Sequence, residues 1–159
     1  MKKNITIVAL ISFVVDQIIK LVCTSYLNSS LVIIPGFLSL IYAENSGVAF
    51  SLLSGNRIIV ILISIILTFL LIYYIYNDYI KIGKKSMYKE ILYGLLLGGI
   101  LGNLVDRIIR GVVIDYVSLN IFGYGFPIFN LADTFITVSV ILILINYIFE
   151  NKKSSDWKR

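Results

Sequence analysis

Four long apolar stretches, almost free of charge, constrain this sequence more than any other feature. A membrane-spanning helix needs about 20 mainly apolar residues, and only the third stretch is clearly shorter. Because 58% of the 159 residues are hydrophobic and 14% are charged, against about 25% charged in soluble domains, a water-soluble core cannot hide them. We predict an all-α membrane protein with four transmembrane helices and a single domain spanning residues 1–159. The stretches are Ile5 to Val22, Ile58 to Tyr76, Ile91 to Val105, and Leu131 to Phe149.

The positively charged residues around these stretches indicate how the chain is oriented. Most lysines and arginines precede the first stretch, separate the second from the third, or follow the fourth. Because positive charge accumulates on the cytoplasmic side, both termini are predicted to be cytoplasmic and the two long connections to face outward. Lys2 and Lys3 precede the first stretch as in a signal peptide, but no small-residue cleavage site follows, so this span is expected to remain uncleaved. The outer side holds only Lys20, Arg57, Arg107 and Arg110.

The outer connections are not featureless. In the first, Leu31 to Ile34 and Phe37 to Tyr42 are apolar, β-prone runs separated by Pro35-Gly36, a turn signal. This pattern predicts a small β-sheet element at the membrane surface. The second connection, Ile108 to Asn130, is rich in aromatic residues that favour the lipid headgroup level, so it is expected to lie along the interface.

Glycines recur every four residues in the third stretch. Gly94, Gly98 and Gly102 fall on one helix face, where the absence of side chains lets a neighbouring helix approach closely. We interpret this stripe as a packing surface.

The composition also excludes several kinds of chemistry. The chain has no His and one Cys, which excludes Ser-His-Asp and Cys-His nucleophiles and most zinc sites. Cys23 ends an apolar run and is predicted to be a small buried hydrophobe. We expect no metal and no cofactor, so any chemistry must rest on carboxylates. The net charge of +5 flanks apolar spans instead of covering a soluble surface, so no nucleic-acid partner is expected.

Polar side chains inside or beside membrane spans are costly and are therefore functional candidates. With the predicted orientation, all of them gather at the outer boundary. Several have structural interpretations, because Asp16 with Lys20 and Asp106 with Arg110 are ion pairs at i,i+4 spacing. Asn103 and Arg107 share the same spacing, and scaffold roles are expected there. The candidates are Asp16, Lys20, Asn45, Asn103, Asp106, Arg107, Asp115, Asn130 and Asp133.

Two aspartates are the strongest candidates for catalysis. Asp115 lies in an apolar run, Val112 to Val117, without a basic partner on the same element. Asn130 and Asp133 match a helix cap and an acid in the first turn, but Thr137 extends their polar stripe toward the bundle interior. Two carboxylates in a partly desolvated site share one proton, so one accepts a proton from water while the other donates to a carbonyl. This is aspartyl-protease chemistry.

An ordered set of motifs resembles the bacterial lipoprotein signal peptidases, also called signal peptidase II, over essentially the whole chain. The pieces are Asp16-Gln17 with Lys20, Asn45-Ser46-Gly47-Val48-Ala49-Phe50, Gly102-Asn103 with Asp106-Arg107, Gly111 through Val113 with Asp115-Tyr116, Phe126-Pro127, Phe129-Asn130 and Ala132-Asp133. Small departures are Tyr116 where Phe is usual, Thr134 where Ser is common and Val48 where Ala is frequent.

The resemblance implies both an activity and partners. It implies that Asp115 and Asp133 form the catalytic pair, with Asn45, Asn103, Arg107 and Asn130 shaping the site and Asp16 nearby. The implied reaction removes the signal peptide of a prolipoprotein just before a diacylglyceryl-modified cysteine, at the outer face of the bacterial cytoplasmic membrane. Implied partners are diacylglyceryl-modified prolipoproteins, membrane lipids and globomycin-type inhibitors. Lys20, Gly47 and Asp106 are predicted to support the site.

Two other functions fit a small membrane protein with intramembrane acids. A proton-coupled carrier would place acids near the midplane or along a path between both faces, whereas here they crowd one boundary. A structural assembly subunit would leave that convergence unexplained. The peptidase hypothesis is therefore favoured.

Overall fold

The computed structural model describes residues 3–47, 56–82 and 86–156. Within them lie four long helices and a small sheet, as predicted. All four helices are long and apolar enough to cross a membrane. The elements in chain order are α1 (Lys3–Tyr26), β1 (Leu31–Ile34), β2 (Leu38–Asn45), α2 (Arg57–Ile82), α3 (Met87–Ile109), β3 (Val113–Ile121), β4 (Tyr124–Gly125) and α4 (Leu131–Asp156).

Helix α3 is the centre of the bundle and contacts α1, α2 and α4. Its glycine stripe faces α1, as the packing interpretation predicted. A Cβ added at Gly94 would come within 2.6 Å of the Val8 Cβ, and one at Gly98 within 1.8 Å of the Ser12 Oγ. The two backbones therefore lie too close together for any larger residue at Gly98.

Helix α1 turns one narrow stripe toward the protein and the rest toward lipid. Its buried residues recur every three or four positions, and most of its other apolar side chains are exposed. The first two residues of the stripe join an apolar cluster with Ile75 and Tyr93. The next three are polar or charged, and the last is a cysteine. The stripe consists of Ile5, Ala9, Ser12, Asp16, Lys20 and Cys23.

The four strands form one antiparallel sheet in the order β1-β2-β3-β4. The predicted turn at Pro35-Gly36 joins β1 and β2, and Gly36 has a φ of 72°. Strand β3, nine residues long, was not predicted; it pairs with β2 along most of its length. The sheet therefore ties the two long connections together.

The end of α3 is held by the first residue of the preceding helix, α2. Arg57 donates hydrogen bonds to the backbone carbonyls of Arg107 and Ile108, at 3.1 and 2.7 Å. These carbonyls have no partner within the helix. Gly111, at φ 84°, then turns the chain into β3. α1 and α3 end, and α4 begins, at one end of the bundle, which we call the site end.

Candidate active site

The register of the sheet brings Asn45 beside Asp115. Asn45 lies opposite Val113 and Ala43 lies opposite Asp115 in the β2-β3 pair. Residues two apart on a strand share a face, so Asn45 and Asp115 are diagonal neighbours within reach of each other. The Asn45 Nδ2 donates a hydrogen bond of 3.1 Å to Oδ2 of Asp115.

A segment that folds back along β3 brings Asn130 to the same carboxylate. Phe129 pairs with Val117, its N–H donating to the Val117 carbonyl at 3.1 Å and its carbonyl accepting from the Val117 N–H at 2.8 Å. The next residue, Asn130, is completely buried, and its Nδ2 donates to Oδ1 of Asp115 at 2.7 Å. Both oxygens of Asp115 therefore accept a hydrogen bond from a neutral amide.

Asp133 lies in the first turn of α4 and forms a reciprocal cap with Asn130. The Asp133 N–H donates to the Asn130 Oδ1 at 2.9 Å, and the Asn130 N–H donates to the Asp133 Oδ2 at 3.1 Å. The cap interpretation is thus confirmed, but it does not exhaust the role of Asp133. Its Oδ1 accepts a further hydrogen bond of 2.8 Å from Asn103 Nδ2 on α3.

Neutral donors alone hold the two carboxylates. Among the residues that the structure describes, no Lys or Arg lies within 4.0 Å of either group. The pKa of Asp115 is raised to about 6, because burial and the charge of Asp133 raise it more than the hydrogen bonds from Asn45 and Asn130 lower it. The pKa of Asp115 therefore lies close to the range where a carboxyl group exchanges protons readily.

The carboxylates line a cavity of about 530 Å³. The polar part of its wall also contains Asn45, Asn103 and Arg107, and Thr134 and Thr137 continue it along α4. The rest of the lining is apolar, and within it the rings of Phe126 and Phe129 meet edge to face with centroids 5.9 Å apart. The cavity thus joins a polar, carboxylate-bearing wall to an apolar one.

A second group of charges lies behind the cavity. Lys20 Nζ is 2.8 Å from an oxygen of Asp16 and 2.8 Å from an oxygen of Asp106, and all three side chains are fully buried. Arg110 contacts the other oxygen of Asp106, and the amide of Gln17 donates to that same oxygen at 3.1 Å. We call Asp16, Lys20, Asp106 and Arg110 the ion cluster; it contains two acids and two bases.

Arg107 anchors the segment that follows β2. Its Nη2 donates to the Gly47 carbonyl at 2.8 Å, and the Gly47 N–H donates to the Asn45 Oδ1 at 3.0 Å. Because Asn45 then has its NH₂ free for Asp115, Gly47 and Arg107 together orient this amide. The motif residues Val48, Ala49 and Phe50 lie outside the described residues.

Three side chains accept hydrogen bonds from the backbone N–H groups at the start of α4. The Leu131 N–H donates to the Tyr116 hydroxyl at 3.1 Å and the Ala132 N–H donates to the Asp16 Oδ1 at 3.0 Å, while Asn130 accepts from Asp133. These are the groups that a helix start leaves without partners. The first turn of α4, which carries Asp133, is therefore fixed from β3, from α1 and from the preceding residue.

The structure divides the predicted site residues into two groups. Asp115 and Asp133 line the cavity together with Asn45, Asn103 and Arg107. Asn130 and Gly47 hydrogen-bond to these residues without lining the cavity, and Asp16, Lys20 and Asp106 lie behind it. Tyr116 and Arg57 support the site but were not predicted to do so. The only signal for Tyr116 was its position next to Asp115, and nothing in the sequence indicated that Arg57 ends α3.

The fold and the site together define a multi-pass membrane protein with a carboxylate-lined cavity at one end of its helix bundle. A family model described as signal peptidase (SPase) II matches residues 8–149. Lipoprotein signal peptidases of Staphylococcus aureus strains bovine RF122 / ET3-1 and JH9 are each 36% identical over 156 residues, covering 96% of this chain and 93% of theirs.

Two solved structures of bacterial membrane enzymes, determined in meso at 2.3 and 1.9 Å, have similar folds. Their TM-scores are 0.81 and 0.75, with 34% and 36% identity. The matches cover 92% of this chain and 88% of the first structure, and 89% of this chain and 90% of the second. This chain therefore belongs to the signal peptidase II family and is a signal peptidase, that is, a protease. Because the chain belongs to this family, the carrier and assembly-subunit hypotheses are no longer needed.

Proposed function

We propose that this protein is a membrane aspartic endopeptidase that removes the signal peptide of prolipoproteins on the N-terminal side of a diacylglyceryl-modified cysteine. One observation carries the proposal: Asp115 and Asp133, joined through Asn130, line one cavity, and neither forms a salt bridge with a described residue. Two such carboxyl groups hold one proton between them more easily than they hold two negative charges. The matching relatives carry the name lipoprotein signal peptidase.

The reaction needs one water molecule and the singly protonated pair. The ionised carboxylate takes a proton from water as the water oxygen attacks the scissile carbonyl carbon, and the protonated carboxyl donates its proton to the carbonyl oxygen. The tetrahedral intermediate collapses when its hydroxyl proton returns to one aspartate and the other protonates the leaving nitrogen. The C–N bond breaks, water is consumed, and the pair again holds one proton.

The cavity suits a lipid-modified substrate. Its apolar wall, with Phe126 and Phe129, can accept acyl chains, and its polar wall carries the carboxylates. Arg107 lines the cavity, and its buried Nε has no hydrogen-bond partner among the described residues. This N–H is left to donate to the substrate backbone. We expect globomycin-type inhibitors to occupy the same cavity.

The lipid anchor of such a substrate places constraints on location. A diacylglyceryl group keeps the scissile bond close to the headgroups of the leaflet that holds it. We therefore place the protein in the bacterial cytoplasmic membrane, with the site end at the outer face and both termini in the cytoplasm, in agreement with the lysine-rich segments. Topology reporters fused after Tyr79 and after Arg159 should both report a cytoplasmic location. An outward signal from either fusion would contradict the four-span orientation.

Single substitutions test the catalytic pair. Asp115→Asn and Asp133→Asn keep the side-chain shape but cannot exchange the shared proton, so each should lower kcat by about 1000-fold or more. The assay is cleavage of a diacylglyceryl-modified prolipoprotein in lipid vesicles. Cys23→Ala is the control, because Cys23 is buried on α1 away from the cavity and should leave kcat unchanged. Full activity of either Asn variant would exclude the aspartate pair as the catalytic group.

A further inference from the structure

Lys20 is the centre of the polar network at the site end. Its side chain is fully buried, and Nζ lies 2.8 Å from three acceptors: Asp16 Oδ2, Asp106 Oδ2 and Asn103 Oδ1. An ammonium group has three N–H donors and no acceptor, and these three acceptors surround it. Two of these contacts neutralise acids within the ion cluster. The third leads out of the cluster toward the cavity.

The contact with Asn103 fixes the direction of its amide. The oxygen of this amide faces Lys20, so its NH₂ faces the other way and donates 2.8 Å to Asp133 Oδ1. A flipped amide would place NH₂ against the ammonium group and oxygen against the carboxylate, and both contacts would be repulsive. The terminal N–H donor of Lys20 therefore selects the orientation in which Asn103 donates to Asp133.

The same orientation reaches Asp115 through a second amide. The Asn130 Nδ2 donates to the Asn103 Oδ1 at 3.2 Å and to the Asp115 Oδ1 at 2.7 Å. The two lone pairs of the Asn103 oxygen are thus used by Lys20 and by Asn130. If Asn103 flipped, its NH₂ would oppose that of Asn130, and the donor to Asp115 would be displaced. One ammonium group consequently sets the direction of donors to both aspartates.

We propose that Lys20 is a positioning residue for the proposed reaction, which sets the direction of the Asn103 amide and thereby the hydrogen-bond donors at Asp133 and Asp115. Lys20 acts without contact with the substrate and without an ion pair to Asp115 or Asp133. This role is additional to its neutralisation of Asp16 and Asp106. It depends on a hydrogen-bond donor at the end of the side chain, whereas neutralisation depends on charge, so the two roles can be separated.

A matched pair of variants, Lys20→Gln and Lys20→Met, makes this separation. Both remove the positive charge and have side chains of the same length, but only Gln carries a donor that can face the Asn103 oxygen. We expect kcat to fall roughly 100-fold in Lys20→Met and no more than roughly 10-fold in Lys20→Gln, since misaligned catalytic groups cost about that much. The KM should stay within about twofold of the unsubstituted enzyme in both. Equal kcat values, or a change confined to KM, would overturn the inference.

Loss of a buried charge also affects folding, so the same pair is repeated with Asp16→Asn. That substitution removes one negative charge along with the positive one and leaves an oxygen to accept from the Ala132 N–H. Melting temperatures in detergent micelles should then agree within each pair while kcat still differs tenfold. Asp115→Asn and Asp133→Asn, measured in parallel, separate the two proposals. If they are inactive and the Lys20 pair agrees in kcat, only the positioning role fails, whereas activity in either would refute the catalytic assignment itself.

Discussion

Two pairs of aspartates lie at the same end of this bundle, and their surroundings differ sharply. Asp16 and Asp106 are completely buried, and Lys20 bridges them while Arg110 contacts one of them. Asp115 and Asp133 lie against a cavity, and the groups of the described part of the chain that donate hydrogen bonds to them are all neutral. The two pairs are connected, since Asn103 contacts Lys20 on one side and Asp133 on the other.

This difference explains how one small protein can hold four acids at a membrane boundary. Buried acids that contact cations on other helices link those helices, and removing either partner leaves an uncompensated charge. Asp115, which accepts hydrogen bonds from neutral amides, has a pKa raised to about 6. Charge compensation thus distinguishes Asp16 and Asp106, the supporting pair, from Asp115 and Asp133, which form no salt bridge with a described residue and which we propose as the reactive pair.

The largest expected effect is a difference in stability between two single variants. One replaces an acid of the supporting pair, and the other replaces an acid of the reactive pair. Asp16→Ala takes a counter-ion from Lys20 and the acceptor from the Ala132 N–H, and should reduce the free energy of unfolding by about 3–5 kcal/mol. Asp115→Asn leaves no unpaired charge and should change it by less than about 1 kcal/mol. The measurement is denaturant unfolding in detergent micelles. Similar losses in both variants would erase the distinction between the pairs.

Much of the fold could be predicted because the membrane simplifies the pattern. Lipid-facing helices need apolar residues on nearly every side, so all four helices stood out. The third stretch was underestimated because the first turn of α3, which starts at Met87, includes Lys89 and Glu90. Strand β3 was missed because Val113–Ile121 pairs with β2 over a long separation in sequence, and no local signal announces such a partner.

Most residues of the site could be predicted from the sequence, but not which of them line the cavity and which support it from behind. Unpaired Asp115 and the stripe from Asn130 to Thr137 pointed to the reactive pair without tertiary information. The role of Lys20 as a link to Asn103 could not be predicted, because i,i+4 spacing with Asp16 already accounted for the charge. The hydroxyl of Tyr116 was also out of reach, since its partner is a backbone N–H fifteen residues away.

The pH dependence sharpens the comparison from the side of the reactive pair. The active form needs one shared proton, so kcat/KM of the free enzyme should fall as the pH rises past a value near 6. Asn45 donates to the Asp115 carboxylate and lowers its pKa. Asn45→Ala should therefore raise this pKa and move the alkaline limb to higher pH, by up to about one unit, or about 1.4 kcal/mol.

The charges of two other residues also influence the pKa of Asp115 and hence the position of this limb. The negative charge of Asp133 raises the pKa of Asp115, and the positive charge of Lys20 lowers it. Neither is changed by Asn45→Ala, so the shift isolates the hydrogen bond. The measurement is a pH profile of prolipoprotein cleavage at low substrate concentration. A limb that stays in place or moves to lower pH would show that Asp115 is not the group that titrates there.

The smallest effect concerns the helix start that both pairs share. Asp16 and the Tyr116 hydroxyl accept from consecutive N–H groups of α4, those of Ala132 and Leu131. Tyr116→Phe removes one oxygen and leaves the Leu131 N–H without that acceptor, so it should lower the free energy of unfolding by about 1 kcal/mol. Because Asp133 lies two residues further on, kcat should fall by less than about tenfold.

A second tyrosine provides the matched control for this substitution. The Tyr42 hydroxyl donates to Glu44 on the exposed side of β2, at 2.6 Å, and surface hydrogen bonds of this kind contribute little because water replaces them. Tyr42→Phe should therefore leave both the melting temperature and kcat close to those of the unsubstituted protein. If both Phe variants behave alike, the Tyr116 hydroxyl does not hold α4 in place. The ion cluster and Asn130 would then suffice to fix Asp133.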